Sequence, residues 1–292
     1  MNAVLDPPPI PRLAPEWQDW LAGNVVRGCT DADMLAVMRD NGFQDHYARV
    51  AISVVRSMTE RVQQQAPQML SGYKADPIRL PAQNTVQAGD RPVGIGFALA
   101  DPNVALLQDL LTEQECDKLI ALAAGKVTRS SVVDRATGTD QISAVRTSAG
   151  TYFERGENAI VARLEQRIAT LTGVPIENGE PLQILYYKPG NEYLAHHDYF
   201  DPADPGSAEV LRAGGQRIAT LVIYLNNVTE GGETRFPDLG LDVRPRRGSA
   251  LYFEYMNAEG ALDARCLHAG VPVRQGEKWI ATKWLRQGPY QR

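Results

Sequence analysis

Residues 216–227 read QRIATLVIYLNN, a run of β-branched and apolar side chains closed by two asparagines. Three further segments share its character: PLQILYY at 181–187, SALYFEYM at 249–256 and KWIATKWLR at 278–286. Each is short, each is rich in β-branched or aromatic residues, and Gly, Pro and Asn punctuate the chain between them, so each reads as a strand. No helical pattern separates them. Strands spaced in this way point to a sandwich or jelly roll and away from a parallel sheet, which needs crossover helices. Two helices come first. TEQECDKLIALA (112–123) opens with Thr112 as N-cap and Glu115 three residues later, a capping box. The second runs from about residue 158 to 171, with Ile160, Leu164, Ile168 and Leu171 on one face and Gly173 as its stop. The expected fold is mainly β, a jelly roll braced on one sheet by helices.

Upstream the pattern is different. Trp17, Trp20 and Leu21 lie at i, i+3 and i+4 in PEWQDWLAGNV (15–25). TDADMLAVMRDNGF (30–43) offers Thr30 as a cap, Met34, Leu35 and Met38 as an inward face, and Asn41-Gly42 as a stop. QDHYARVAISVVRSMTERVQQQ (44–65) continues as a third helix. The expected organisation is a helical unit over residues 1–66, a linker or wrapping segment over 67–91 where periodicity dissolves, and a β-rich domain over 92–292. Residues 1–12 are proline-rich and read as extended or disordered. The helical unit carries no legible motif. Scaffolding of a sheet edge, recruitment of a substrate and dimerisation all fit it, which leaves homo-oligomerisation open.

Composition narrows the function classes. The 292 residues are 43% apolar and 22% charged with a formal net charge of −5, ordinary values for a soluble globular chain. There is no basic tract, so a nucleic-acid partner is not expected, although an acidic protein can still hold a basic pocket. Cys29, Cys116 and Cys266 are far apart and odd in number, which argues against a disulfide framework and for a reducing, cytoplasmic setting. The N-terminal MNAVLDPPPIPRL does not read as a signal peptide, and no apolar run approaches the roughly 20 residues of a membrane span.

The chemistry gathers in YLAHHDYF (193–200). In a strand, alternate side chains share a face, so His196 and Asp198 point one way and His197 the other. An imidazole and a carboxylate on one face are half a metal site. The chain has four histidines; His46 sits alone in the helical unit and reads as a surface residue, whereas His268 lies in the strand-like RCLHAGVPV (265–273). His196, Asp198 and His268 together form a two-histidine, one-carboxylate face with open positions, the set preferred by non-haem Fe(II) oxygenases. Zinc also binds such a set, but the HExxH of many zinc hydrolases is missing. Taken alone, HxD also fits a surface strand with a paired aspartate. Lys278, in GEKWIATKWLR, stands at the head of an apolar strand. It either snorkels to solvent or is buried, and a buried ammonium needs an anion.

At this point the sequence resembles the prolyl 4-hydroxylase-like branch of the Fe(II)/2-oxoglutarate dioxygenases. The resemblance spans about residues 103–287 and rests on five segments in order: VVDRATGTDQISAVRTSAGTYF, LQILYYKPGNEYLAHHDYF, GGQRIATLVIYLNNVTEGGETRFP, VRPRRGSALYF and LHAGVPVRQGEKWIATKWL. It implies a double-stranded β-helix with supporting helices. It implies His196, Asp198 and His268 as iron ligands, and Lys278, Tyr187 and Thr234 as partners of the distal carboxylate of 2-oxoglutarate. Trp284 falls beside the cosubstrate pocket, and Tyr193, Arg217 and Arg286 fall on the substrate side. Read without the resemblance, Tyr187 fits a core position, Thr234 an edge strand and Arg217 a solvated strand start. The implied cofactors are Fe(II), 2-oxoglutarate as cosubstrate and dioxygen, with ascorbate left open.

The expected substrate is a prolyl residue in a peptide or protein. SSVVDRATGTDQISAV (130–145) reads as a lid over a peptide groove, and DPADPGSAEVLRAGG (201–215) as the opposite wall. Collagen-type relatives end the KWL segment with histidine; Arg286 stands there instead, which weighs against a collagen-like substrate. Two other readings stand beside this one: hydroxylation of a small molecule such as a free amino acid, and a non-enzymatic β-sandwich binding module.

Overall fold

The computed structural model describes residues 13–70, 73–134, 136–142 and 145–291. The proline-rich segment 1–12 lies outside them. The chain divides into two compact units, Met1–Ser71 and Gly72–Arg292.

The first unit holds three helices, Pro15–Val26, Asp31–Asp40 and Asp45–Leu70. Thr30 caps the second by accepting from the Asp33 amide, and Gly42, at φ +84°, makes the turn after it. Leu21, Met34, Leu35, Met38 and Ile52 form the core, and Trp17 meets both Trp20 and Phe43 edge-on. His46 is exposed on the third helix.

The second unit is a double-stranded β-helix. Its main sheet has nine antiparallel strands, in the order Thr85–Ala88, Arg91–Ala100, Asn103–Gln108, Ala250–Glu254, Arg217–Tyr224, Lys278–Arg286, Leu182–Tyr187, Ala149–Phe153 and Thr128–Arg129. A smaller sheet of four strands, Leu241–Val243, Thr234–Phe236, His268–Gly270 and Tyr193–His196, makes the second layer. The QRIATLVIYLNN run is a central strand, paired on one side with Ala250–Glu254 and on the other with Lys278–Arg286.

Two helices cover the outer face of the main sheet. Glu113–Ala124 starts with the reciprocal Thr112/Glu115 capping box, and Ala159–Thr172 is capped by Asn158 and ended by Gly173 at φ +67°. Leu119, Leu164, Ile168 and Leu171 from these helices bury themselves with Ile184, Leu221, Ile223 and Ala281 from the strands. Full burial of each large aliphatic side chain contributes about 1.5–3 kcal/mol, so this layer holds helices and sheet together. A second apolar cluster, including Tyr224, Phe236, Leu251 and Phe253, fills the space between the two sheets.

Three strands precede the first of these helices: Thr85–Ala88 lies in the stretch read as a linker or wrapping segment, and the other two fall where the sequence pattern placed none. The segment RPVGIGFALA gives no clean alternation, because it is largely exposed and carries Gly94 and Gly96 where the Gln108 side chain passes close. Within the stretch read as a linker or wrapping segment, Arg79 donates to Glu254 through its amide (2.7 Å) and guanidinium (2.6 Å), while Asn103 and Asn257 donate to the carbonyls of Asp76 and Lys74. Among the described residues no helix is long and apolar enough to cross a membrane.

Candidate metal centre and its cavity

Antiparallel register assembles the centre. His268 lies directly opposite His196 in the small sheet, so both rings project from the same face. The strand that carries His196 ends there, but alternation persists for two more residues and brings Asp198 to the same side. The ligand atoms of His196, Asp198 and His268 all lie within 4.8 Å of one another. Each imidazole sets its Nδ1 against a backbone carbonyl, of Leu194 at 2.8 Å and of Cys266 at 3.0 Å. With those nitrogens protonated, both Nε2 lone pairs are free to ligate. Tyr193 stacks on His196 at 3.6 Å between ring centroids, and Phe253 packs against His268 at 4.7 Å. His197 faces away, with Nε2 2.9 Å from the Ala264 carbonyl.

Charge follows from this packing. Burial opposes the Asp198 carboxylate, but the His268 and His196 imidazoles and the Arg217 guanidinium outweigh it and hold the group below the usual carboxylate range. Burial, helped by His196 and opposed by Asp198, pushes His268 down to about 4, so its ring is neutral at physiological pH. An ionised carboxylate and neutral imidazoles are the forms a divalent cation requires.

The same cavity is lined by Tyr187, Thr234, Lys278 and Trp284. Lys278 and Tyr187 are direct cross-strand partners, and the ammonium lies 5.3 Å from the Tyr187 ring centroid. Lys278 is 2% exposed, so it does not snorkel to solvent. Burial lowers it to about 8, against a smaller opposing pull from Glu233. Among the described residues it makes no hydrogen bond or ion pair. Thr234 is buried and accepts a hydrogen bond from the Tyr224 hydroxyl at 2.8 Å, which leaves its own hydroxyl hydrogen for the cavity. This donor set fits a divalent ion beside an anionic ligand: two nitrogens and a carboxylate for the one, an unpaired ammonium and oriented hydroxyls for the other.

Arg286 is buried and Arg217 half-buried, its side chain 12% exposed, and both are committed. Arg217 forks onto Glu180 at 2.6 and 2.9 Å and donates to the Asp198 carbonyl at 3.2 Å. Arg286 donates to the same carboxylate at 2.6 Å and to the Gly215 carbonyl at 2.7 Å. Burial would neutralise Glu180, but Arg217 and then Arg286 outweigh it and keep the carboxyl below its ordinary range. The Arg217 guanidinium lies over the Trp284 ring at 3.9 Å. Arg286 does not line the cavity.

Three contributors were not singled out in the sequence. Arg146 lines the cavity, 4.7 Å from the Tyr193 ring, and its Nε is buried without a hydrogen-bond partner, as is Trp284 Nε1. Glu180 and Thr220 were also passed over, the first in a patternless turn, the second as one more β-branched strand residue. The two segments read as lid and wall approach one another: a Cβ on Gly138 would lie 2.5 Å from the Gly206 carbonyl oxygen.

A model of the 2OG-Fe(II) oxygenase superfamily matches residues 182–286. Among curated relatives, "Probable prolyl 4-hydroxylase 4" of Arabidopsis thaliana is 40% identical over 212 residues, which cover 65% of this chain and 70% of that protein. "Prolyl 4-hydroxylase 2" of the same plant is 42% identical over 205 residues, covering 63% and 67%. Among solved structures, the 2OG complex of the viral collagen prolyl hydroxylase vCPH from Paramecium Bursaria Chlorella virus-1 is 30% identical and covers 63% of this chain and 95% of that one, with a TM-score of 0.49.

Proposed function

Because the chain belongs to the 2OG-Fe(II) oxygenase superfamily, alongside the plant prolyl 4-hydroxylases, we propose that it hydroxylates a prolyl residue, at C4, within a peptide or protein. It is an Fe(II)- and 2-oxoglutarate-dependent dioxygenase. The observation that carries the reading is a single cavity that joins the His196–Asp198–His268 cluster to the buried, unpaired ammonium of Lys278.

In this reading His196, Asp198 and His268 hold Fe(II), and Lys278 pairs with the distal carboxylate of 2-oxoglutarate while Tyr187 and Thr234 offer it hydroxyls. When bound, the iron and its cosubstrate supply the oxidation, in which 2-oxoglutarate and dioxygen become succinate, carbon dioxide and one hydroxyl on the substrate. The chain's own work is placement. Tyr193 and Phe253 clamp the two imidazoles. Lys278 fixes one end of the cosubstrate, and the apolar wall of Leu185, Val222 and Ile280 limits water around it. No general base is needed, and none is assigned.

On the substrate side, the orphaned N–H groups of Arg146 and Trp284 are suited to peptide carbonyls, since a buried donor without a partner is costly. Arg217 and Arg286 are spent on Glu180 and do not line the cavity. A free amino acid would bring an ammonium, and among the described residues lining the cavity the only carboxylate is Asp198, which the metal uses. That favours a residue inside a chain over a free one. The three cysteines are unpaired, two of them buried, which supports a reducing, cytoplasmic setting.

The test is incubation with Fe(II), 2-oxoglutarate and a proline-rich peptide library, read by mass spectrometry for one added oxygen and by fragmentation for its position. Free proline and other amino acids run in parallel. Product from free amino acids with none from any peptide would overturn the peptide assignment.

A further inference from the structure

The two oxygens of Asp198 are not equivalent. Oδ2 accepts a hydrogen bond from Thr220 Oγ1 at 2.7 Å and lies 3.5 Å from His268 Nε2. Oδ1 accepts none among the described residues and lies 3.6 Å from His196 Nε2. Behind Thr220 stands the Tyr255 hydroxyl, 3.0 Å from the same Oγ1. Both Thr220 and Tyr255 are 0% exposed, so water does not compete for these bonds.

The directions of the two protons follow by elimination. An ionised carboxylate only accepts, so Thr220 must donate its single hydrogen to Asp198. Thr220 then has only lone pairs to offer Tyr255, and the phenol must donate to it. The result is a one-way chain, Tyr255 to Thr220 to Asp198 Oδ2, in which each bond polarises the next. Register fixes the chain in place. Thr220 lies opposite Trp284 on one neighbouring strand and Phe253 on the other, at the middle of the main sheet. Arg217 adds a hold on the Asp198 backbone carbonyl at 3.2 Å.

We propose that Tyr255 and Thr220 are positioning residues that keep Asp198 a one-oxygen metal ligand, through Oδ1. The inference rests on the metal-centre reading above. Oδ2, pinned and drained of charge by its donor, is the poorer ligand, and the carboxylate cannot swing to offer both oxygens. The consequence is an open position. A two-oxygen Asp198 would fill one of the three sites that the histidine–carboxylate face leaves for a chelating cosubstrate and dioxygen.

The experiment counts water on Mn(II), through the water-proton relaxation enhancement per bound ion, in the full-length chain without cosubstrate. The wild type is expected to show about three exchangeable waters, the number left by three single-atom ligands on an octahedral ion. Thr220→Val keeps the shape and removes the donor, and is expected to lose about one of them, a fall of roughly a third in enhancement per ion. Thr220→Ser is expected to stay at the wild-type value, and Tyr255→Phe to fall between the two. Packing damage alone changes how much Mn(II) binds, not how many waters each bound ion carries. Full wild-type enhancement in Thr220→Val overturns the proposal. So does loss of Mn(II) binding in that variant, because a freed carboxylate still has oxygens to offer. Wild-type behaviour of Tyr255→Phe removes Tyr255 from the relay. Failure of the wild type itself to bind Mn(II) would instead overturn the metal-centre reading.

Discussion

Replacing Lys278 by methionine separates what this side chain does for the fold from what it does for a ligand. In the free protein the ammonium is buried and unpaired, and burial brings its pKa from 10.5 to about 8. The sign follows from linkage. The unfolded chain binds more protons than the folded one between about pH 8 and 10.5, so stability rises with pH through that window and the cost of the charge is full below it. A shift of that size corresponds to about 3 kcal/mol, an upper figure because the pocket can relax. Methionine retains the packing of the stem, which passes the backbone at Gly232, and removes the charge. Lys278→Met in the metal-free protein is therefore expected to gain up to about 3 kcal/mol at pH 7, and the gain should shrink to under about 1 kcal/mol by pH 10. Urea unfolding at both pH values measures it. Calorimetry with 2-oxoglutarate and Mn(II) should show the opposite effect, a loss of roughly 2–5 kcal/mol, or about 30-fold to several-thousand-fold. A variant that is no more stable at pH 7 and binds 2-oxoglutarate as the wild type does would show that the ammonium reaches water and that the anion reading is wrong.

The same lysine predicts a pH profile: the dissociation constant of 2-oxoglutarate should rise as pH climbs above about 8, approaching tenfold per unit if neutral Lys278 binds none, and Lys278→Arg should flatten the rise, since arginine stays charged. Glu180→Ala leaves the buried Arg286 and the half-buried Arg217 without their shared partner and should cost about 3–5 kcal/mol in urea unfolding. Because Glu180 is held below its ordinary range, the stability it confers is present above about pH 4.5 and is lost as the pH falls further, so Glu180→Ala should differ least from the wild type in acid.

Much of the site was legible because strand alternation is a rule of local geometry. HxD fixed two ligands on one side and sent His197 to the other, and His268 was the remaining histidine in β-rich sequence. The Lys278–Arg286 strand shows how far parity reaches. Lys278, Ile280, Thr282 and Trp284 line the cavity, while Trp279, Ala281 and Leu285 enter the helix-side core. Lys283 goes with the second set and is satisfied by Glu165, 2.6 Å away on the Ala159–Thr172 helix. Two lysines five residues apart thus differ in one respect that parity predicts, the face, and in one that it does not, the partner. Glu165 is 118 positions from Lys283, and nothing local announces the pair.

Arg217 marks the point where alternation fails and explains why its role was not readable. By parity from Ala219 and Leu221, which face the helix-side core, Arg217 would be sent to that core as well. A register shift between Arg217 and Ala219 intervenes: Ala219 pairs with Leu285, but Arg217 pairs with Arg286. The irregularity re-aims the side chain, as β-bulges do, and delivers Arg217 to the face that holds Trp284 and the Asp198 carbonyl. Two guanidiniums then meet on adjacent strands, which is tolerable only because Glu180 accepts from both. The bulge, the buried carboxylate and the second arginine form one arrangement, and each member makes sense only with the other two in place. A reading that takes Arg217 as a solvated strand start, or Arg286 as a free substrate contact, follows from treating each residue singly. Along with Arg217, the shift brings a hydrogen-bond donor to the backbone of a metal ligand, so an irregularity in the central strand is part of how Asp198 is held.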